Sequence, residues 1–209
     1  MPEREPAPAT VALPPGAPTA LTPLLTGRRS VKELTGDVLD LEEVAGLLRH
    51  AAGVDGAGHP TYASARSAHL VSVTLVAGAV AGLHPGSYQY QASRHLLRTE
   101  ALGDQRPALA AATVDAHWVS GAPAVLVLTA DIRAADARFA ELGPGQGDRF
   151  AWLEAGLITQ NAYLWAAAVG LGVAFIGGLD RAACAREAGS VLPAGHTVLG
   201  LLPVGNPAY

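Results

Sequence analysis

The chain has 209 residues, half of them hydrophobic and only 15% charged, with a net charge of −4 at pH 7. That length and apolar content suit one domain with an ample core, while scattered arginines and a single lysine, Lys32, argue against a nucleic-acid partner. The lone Cys184 leaves no disulfide framework and no cysteine metal cluster, which fits a reducing cytoplasm, and a surface so poor in charge suits a homo-oligomer.

Residues 1–18, MPEREPAPATVALPPGAP, are rich in Pro and Ala and lack the basic start and continuous apolar run of a signal peptide. They are expected to be disordered or draped over a partner, with residues 19–209 forming the domain. A short helix is predicted from about Thr19 to Thr26, stopped by Gly27. It is followed by the densest basic cluster, Arg28-Arg29-Ser30-Val31-Lys32. Asp40 and Glu43 have the spacing of a capping box, opening a helix with Leu41, Val44, Leu47 and Leu48 inward and Gly53 at its end. A glycine-rich loop leads through His59 to Pro60-Thr61-Tyr62-Ala63-Ser64-Ala65-Arg66. The β-branched run Leu70–Val76 then predicts a strand, and Ser87–Tyr90 with His95–Arg98 read as the arms of a hairpin. Asp104 to Trp118 reads as one helix with Leu109 and Val114 inward. Ala124–Thr129 reads as a buried strand, Ile132–Leu142 as a helix and Gly143–Gly147 as a loop. A long helix from Phe150 to Val169 is stopped by Gly170-Leu171-Gly172. Val173–Ile176 is a short strand closed by Gly177-Gly178, and Asp180 caps a helix to about Ala188. Val198–Val204 is the last strand, which Pro203 puts at a sheet edge. Helices and strands mix without a βαβ repeat, so the expected class is α+β, a central sheet flanked by helices.

The stretch Glu154–Gly178, EAGLITQNAYLWAAAVGLGVAFIGG, holds one formal charge and one polar patch, Thr159-Gln160-Asn161. Such a segment is buried on nearly every side or lies in lipid. The polar patch, without a flanking basic cluster, argues against a membrane span. Glu154 and Asn161 are seven positions apart and share a helix face. With Gln160 they offer either one edge of a ligand site or partners for buried backbone groups or a second subunit. Arg28, Arg29 and Ser30 can bind a phosphate through forked donors and a hydroxyl, or form an ordinary solvated loop. Gly170-Leu171-Gly172 follows a helix, and the next glycine is Gly177, which excludes a dinucleotide fingerprint. The histidines show neither HxH nor HExxH spacing, and Ser64 lies in no GxSxG elbow, so neither a metal site nor a hydrolase triad is expected.

In order along the chain, RRSVKELTG with LEEVAGLLRHAAG, PTYASARSAHLVSVTLVA, GLHPGSYQYQASRHLL, HWVSGAPAVLVLTAD, LEAGLITQNAYLWAAAVGLG and IGGLD resemble the nitroreductase superfamily of flavin oxidoreductases. The closer likeness is to its SagB-type dehydrogenase branch, and it spans about Thr26 to Pro207. The resemblance implies a nitroreductase-like fold with a mostly antiparallel sheet, and an intertwined homodimer with FMN at its interface. Arg28, Arg29 and Ser30 would meet the phosphate or ribityl chain, with Lys32 near the pyrimidine side of the ring. Pro60, Thr61 and Tyr62 would line the ring, Gln160 and Asn161 would come from the long helix, and Ile176, Gly177 and Gly178 would pass close to it. Tyr62, Arg66 and His69 are the candidate substrate contacts. Tyr62 stands in a segment usually written Pro-Ser-Ala-Gly, and Leu157 stands where a His after Gly is frequent in the branch. The implied activity is oxidation of a peptide or other natural product, with oxygen as electron acceptor and a biosynthetic enzyme as partner. The alternatives are an NAD(P)H-dependent reductase and a flavin-free homologue serving as a scaffold.

Overall fold

The structure is a computed structural model that describes residues 10–187 and 191–209. Half of the Pro/Ala-rich segment, and Ala188 at the expected end of the last helix, therefore lie outside the described residues; residues 10–18 are exposed and form no regular element. Among the described residues, six strands make one sheet: β1 (Ser72–Ala77), β2 (Gly86–Gln91), β3 (Leu96–Leu102), β4 (Ala124–Ala130), β5 (Gly172–Val173) and β6 (Thr197–Gly205). Their order is β3-β2-β1-β4-β6-β5, and every neighbouring pair is antiparallel. The apolar run of β4 is buried along its whole length, as expected of a strand covered on both faces. Leu75 pairs with Leu126 on one face and Val76 with Val125 on the other. These two faces seed two separate core clusters.

The first face is covered by α2 (Leu41–Ala52) and α6 (Gln146–Val169), the second by α3 (Arg106–Ala110), α4 (Ala116–Gly121) and α7 (Arg181–Glu187). A short α1 (Thr22–Gly27) and α5 (Ile132–Arg138) both lie against α6. The Glu43 carboxylate accepts the Asp40 N–H at 2.9 Å, so the reciprocal half of the capping box is present. Val44, Leu47 and Leu48 face inward, but Leu41, in the first turn, is 41% exposed. α6 ends at Gly170 with φ of +82°, and the Leu171 N–H returns to the Ala166 carbonyl at 3.0 Å. This left-handed cap is available to glycine at little cost. Among the described residues, no helix is long and apolar enough to cross a membrane.

Several expectations are corrected. The single helix expected over 104–118 is two helices, and Val114 between them is 91% exposed. Thr113 forms a β-bridge with Leu179, and the Ala112 carbonyl accepts the Asp180 N–H, so the backbone there bonds across the fold instead of along a helix. α5 stops at Arg138 and a 3₁₀ turn follows at Ala140–Leu142, while α6 begins at Gln146, inside the expected loop. β5 covers only Gly172–Val173, with Ile176 bridging separately to Leu201. β6 is not an edge strand, since it lies between β4 and β5. Its Pro203 carbonyl accepts from Ala174 on the β5 side, so the missing N–H faces that side too, where pairing is short, and the ladder to β4 is not interrupted.

Candidate functional site

The basic segment is extended and lies beside the glycine-rich turn. The Val31 N–H donates to the Val173 carbonyl at 3.0 Å, which buries Val31 and leaves Ser30 and Lys32 exposed on the alternate positions. The Arg28 guanidinium sits 5.0 Å from the Tyr163 ring centre, and Ser30 Oγ is 3.1 Å from the Tyr163 hydroxyl. Lys32 Nζ lies 4.3 Å from the Trp118 ring centre, and that indole donates to Glu33 at 3.1 Å. Arg29 goes elsewhere. Its guanidinium donates to the Thr26 and Arg28 carbonyls and lines a small recess with Pro207 and Tyr209.

Beyond β5, Ile176 is buried and exchanges backbone bonds with Leu201 at 2.8 and 3.0 Å. The Phe175 N–H points away from β6 and donates to the Tyr163 hydroxyl at 2.8 Å. The Phe175 ring fills the space that side chains at Gly177 and Gly200 would need; a Cβ there would lie 2.8 and 2.1 Å from it. A Cβ at Gly178 would meet nothing within 4 Å. The N–H groups of Gly177 and Gly178 have no acceptor among the described residues, so this turn presents two backbone donors beside open space.

A second group forms around the segment after α2. The Thr61 N–H donates to the Gly53 carbonyl at 3.0 Å, and Asn161 Nδ2 donates to the Thr61 carbonyl at 3.0 Å. Tyr62 packs edge-on to His69, ring centres 6.4 Å apart. Both line a cavity of about 340 Å³ with Pro60, Ser72, Gln89 and Tyr90. Burial, and then the nearby Glu154 charge, push the Tyr62 phenol up to about 12, so it is a proton-bearing donor at neutral pH. Glu154 is buried and accepts from Ser64 Oγ at 2.6 Å and from the Leu70 N–H at 2.8 Å. It thereby clamps a segment in which Arg66, Ser67 and His69 all have left-handed φ, near +50°. Arg66 stands apart from Tyr62 and His69; its guanidinium pairs with Glu141 and lies 5.9 Å from the Phe139 ring centre.

The shared face expected for Glu154 and Asn161 is therefore seen, both reaching the 61–70 segment. Gln160 is exposed. Tyr163, which joins the basic segment to the glycine turn, escaped the sequence reading; the available signal was its i+3 position from Gln160 on the same helix. Asn161 and Tyr163 are two positions apart, about 200° around α6. The Arg28–Ser30–Gly178 group and the Thr61–Asn161 group thus lie on different sides of that helix within one chain.

The first group matches what a phosphorylated, planar ligand needs: a guanidinium, a hydroxyl, an ammonium and backbone N–H donors beside glycines that admit close approach. Its donor set fits the phosphate and ring edge of FMN.

Comparison with known proteins identifies the family. A family model described as Nitroreductase family matches residues 25–206. A Methanocaldococcus jannaschii protein named "Putative nitroreductase MJ1384" is 30% identical over 190 residues, covering 89% of this chain and 90% of that one. Among solved structures, a nitroreductase-like protein of Anabaena variabilis superposes with a TM-score of 0.75 at 24% identity; the match covers 90% of this chain but 38% of that longer one. One from Desulfovibrio desulfuricans, in complex with FMN, gives 0.65 at 18%, covering 92% and 89%. A chain of the Escherichia coli microcin synthetase McbBCD complex with truncated pro-MccB17 gives 0.71 at 19%, covering 96% and 79%. The antiparallel sheet, its flanking helices, and a family match that spans most of the sequence establish that the chain belongs to the nitroreductase family.

Proposed function

We propose that the chain is a cytoplasmic FMN-dependent oxidoreductase acting as a homodimer, with each flavin held between two copies. The observation that carries this reading is the division of the site by α6. One side offers Arg28, Ser30, Lys32 and the Gly177–Gly178 N–H groups, and the other offers Pro60, Thr61, Tyr62 and Asn161. A second copy packed on α6 brings the missing half to each flavin.

Bound FMN supplies a two-electron carrier at its N5 atom. Arg28 and Ser30 bind the phosphate, with Arg29 adding charge from the flank. Lys32 lies toward the pyrimidine edge, where its charge favours electron uptake. The Gly177 and Gly178 N–H groups hold the ring edge, and buried Ile176 fixes that turn to β6. Gln160 and Asn161 approach from the helix. Tyr62, kept protonated, donates a hydrogen bond into the cavity it shares with His69, where the substrate is oriented. Arg66, paired with Glu141, lies apart from this cavity and is assigned no part in it.

The substrate reading is a SagB-type dehydrogenation in the tailoring of a peptide or other natural product, with oxygen accepting the electrons and a biosynthetic enzyme as partner. Its support is the fold likeness to a chain of the microcin synthetase complex with truncated pro-MccB17 bound. The relative named as a nitroreductase favours a second reading, reduction with NAD(P)H as donor.

The visible spectrum of the purified protein, with mass analysis of the released chromophore, tests the core of the proposal. One FMN per chain is expected, and Arg28→Ala should lower that occupancy. A colourless protein that takes up no added FMN overturns it and leaves a scaffold role. Anaerobic mixing with NAD(P)H separates the two substrate readings. Prompt bleaching supports the reductase; persistence of the yellow colour supports the dehydrogenase.

A further inference from the structure

We propose that Tyr163 is a positioning residue for the flavin phosphate, acting as a hydrogen-bond relay that turns the Ser30 hydroxyl proton outward. The inference rests on the FMN reading above and goes beyond it, since Tyr163 itself lies behind the site.

The geometry has three parts. β5 is the outer strand of the sheet, and Ile176 bonds inward to Leu201 of β6, so the N–H of Phe175 points outward, toward α6. There it meets the Tyr163 hydroxyl at 2.8 Å. The same hydroxyl lies 3.1 Å from Ser30 Oγ. One oxygen on the helix thus joins two segments from opposite ends of the sequence.

The hydrogen inventory fixes the direction of this chain. A backbone N–H can only donate, so Tyr163 accepts from Phe175. The phenol then has one hydrogen to give, and among the described residues Ser30 Oγ is the acceptor within reach. If Ser30 donated instead, the phenol hydrogen would have no acceptor among the described residues in a part-buried position, which is costly. With Tyr163 donating, the Ser30 hydrogen is free for an anionic oxygen outside. The Arg28 guanidinium, seated over the same ring, sends its positive charge to the same place. That seat depends on the ring, whereas the relay depends on the hydroxyl.

Tyr163→Phe separates them, because it keeps the ring and removes the hydroxyl. FMN and riboflavin, which differ by the phosphate, are titrated into apo-protein by quenching of flavin fluorescence. Tyr163→Phe is expected to weaken FMN binding about tenfold, the size of one charge-assisted hydrogen bond, and to leave riboflavin binding within about twofold. Ser30→Ala should reproduce that pattern, and the double variant should be no weaker than Ser30→Ala. Equal losses for FMN and riboflavin would mean that Tyr163 merely holds β5 in place, and would overturn the relay. Unchanged FMN affinity in Tyr163→Phe, with wild type binding normally, would overturn it as well. Wild-type protein that binds neither flavin overturns the FMN reading itself, a distinct outcome.

Discussion

The two sides of α6 are built on opposite rules. The inner side presents Gly147, Ala151, Ala155, Ile158 and Ala162 with one buried carboxylate, Glu154. The outer side presents Leu153, Gly156, Leu157, Gln160 and Leu164, and Leu153 is 59% exposed. A surface helix ordinarily puts its large apolar residues inside and its charges outside. Gly147 is inside because the Ala135 backbone approaches closely, and outside Leu153 is left exposed by this chain while Leu157 and Leu164 are half-buried. Burial within one copy therefore accounts for the inner half of the helix, and exposed Leu153 is left for the second copy proposed above.

The most severe way to break the inner side is Gly147→Ala. A Cβ there would lie 2.1 Å from the Ala135 carbonyl carbon, and backbone cannot step aside as a side chain can. A loss of about 3 kcal/mol is expected in urea denaturation, at the upper end for overpacking. An unchanged midpoint would show that α5 and α6 have slack between them. Next is Glu154→Gln. Both partners of Glu154 are donors, so an amide sets its own N–H against one of them. About 2 kcal/mol should be lost, with amide exchange rising over residues 64–70, where the left-handed backbone would relax. On the outer side, Leu153→Glu should change the unfolding free energy of a single chain by no more than about 0.5 kcal/mol, as surface substitutions do. On the homodimer proposal it should nevertheless give a monomer in light scattering and release flavin. A folded variant that stays dimeric would move the interface off this face. The last test, the one change expected to stabilise, uses that monomeric background. Gly156 has nothing within 4 Å, so Gly156→Ala should raise stability by about 0.5–1 kcal/mol through helix propensity alone.

Legibility in the sequence followed how local each signal is. The capping pair Asp40/Glu43, the two arms of the β2–β3 hairpin, the apolar run of β4 and the glycine stop of α6 are written within a few residues each, and the structure has them. The break at Val114 was hidden because its cause, the bridge from Thr113 to Leu179, comes from a distant segment. Pro203 was misplaced for a related reason: a proline tells that one N–H is missing, but not which neighbour would have received it. Within the candidate site, residue types were legible and directions were not. Arg28 and Arg29 are adjacent and alike in sequence, yet one stacks on Tyr163 and the other turns back to α1. Tyr163 sat unremarked in an apolar run because a tyrosine there reads as core until its hydroxyl has partners.

The insertion of β6 between β4 and β5 has a consequence for how the protein is made. When β4 leaves the ribosome it can pair with β1 on one edge, but its other edge waits for a strand that is translated much later. During that interval a strand apolar but for Thr129, with open backbone donors and acceptors, is available to any other nascent chain. Premature release before residue 197 would leave that edge open permanently. Truncated products should therefore be found with chaperones or in aggregates, even though each of their own helices and hairpins is complete.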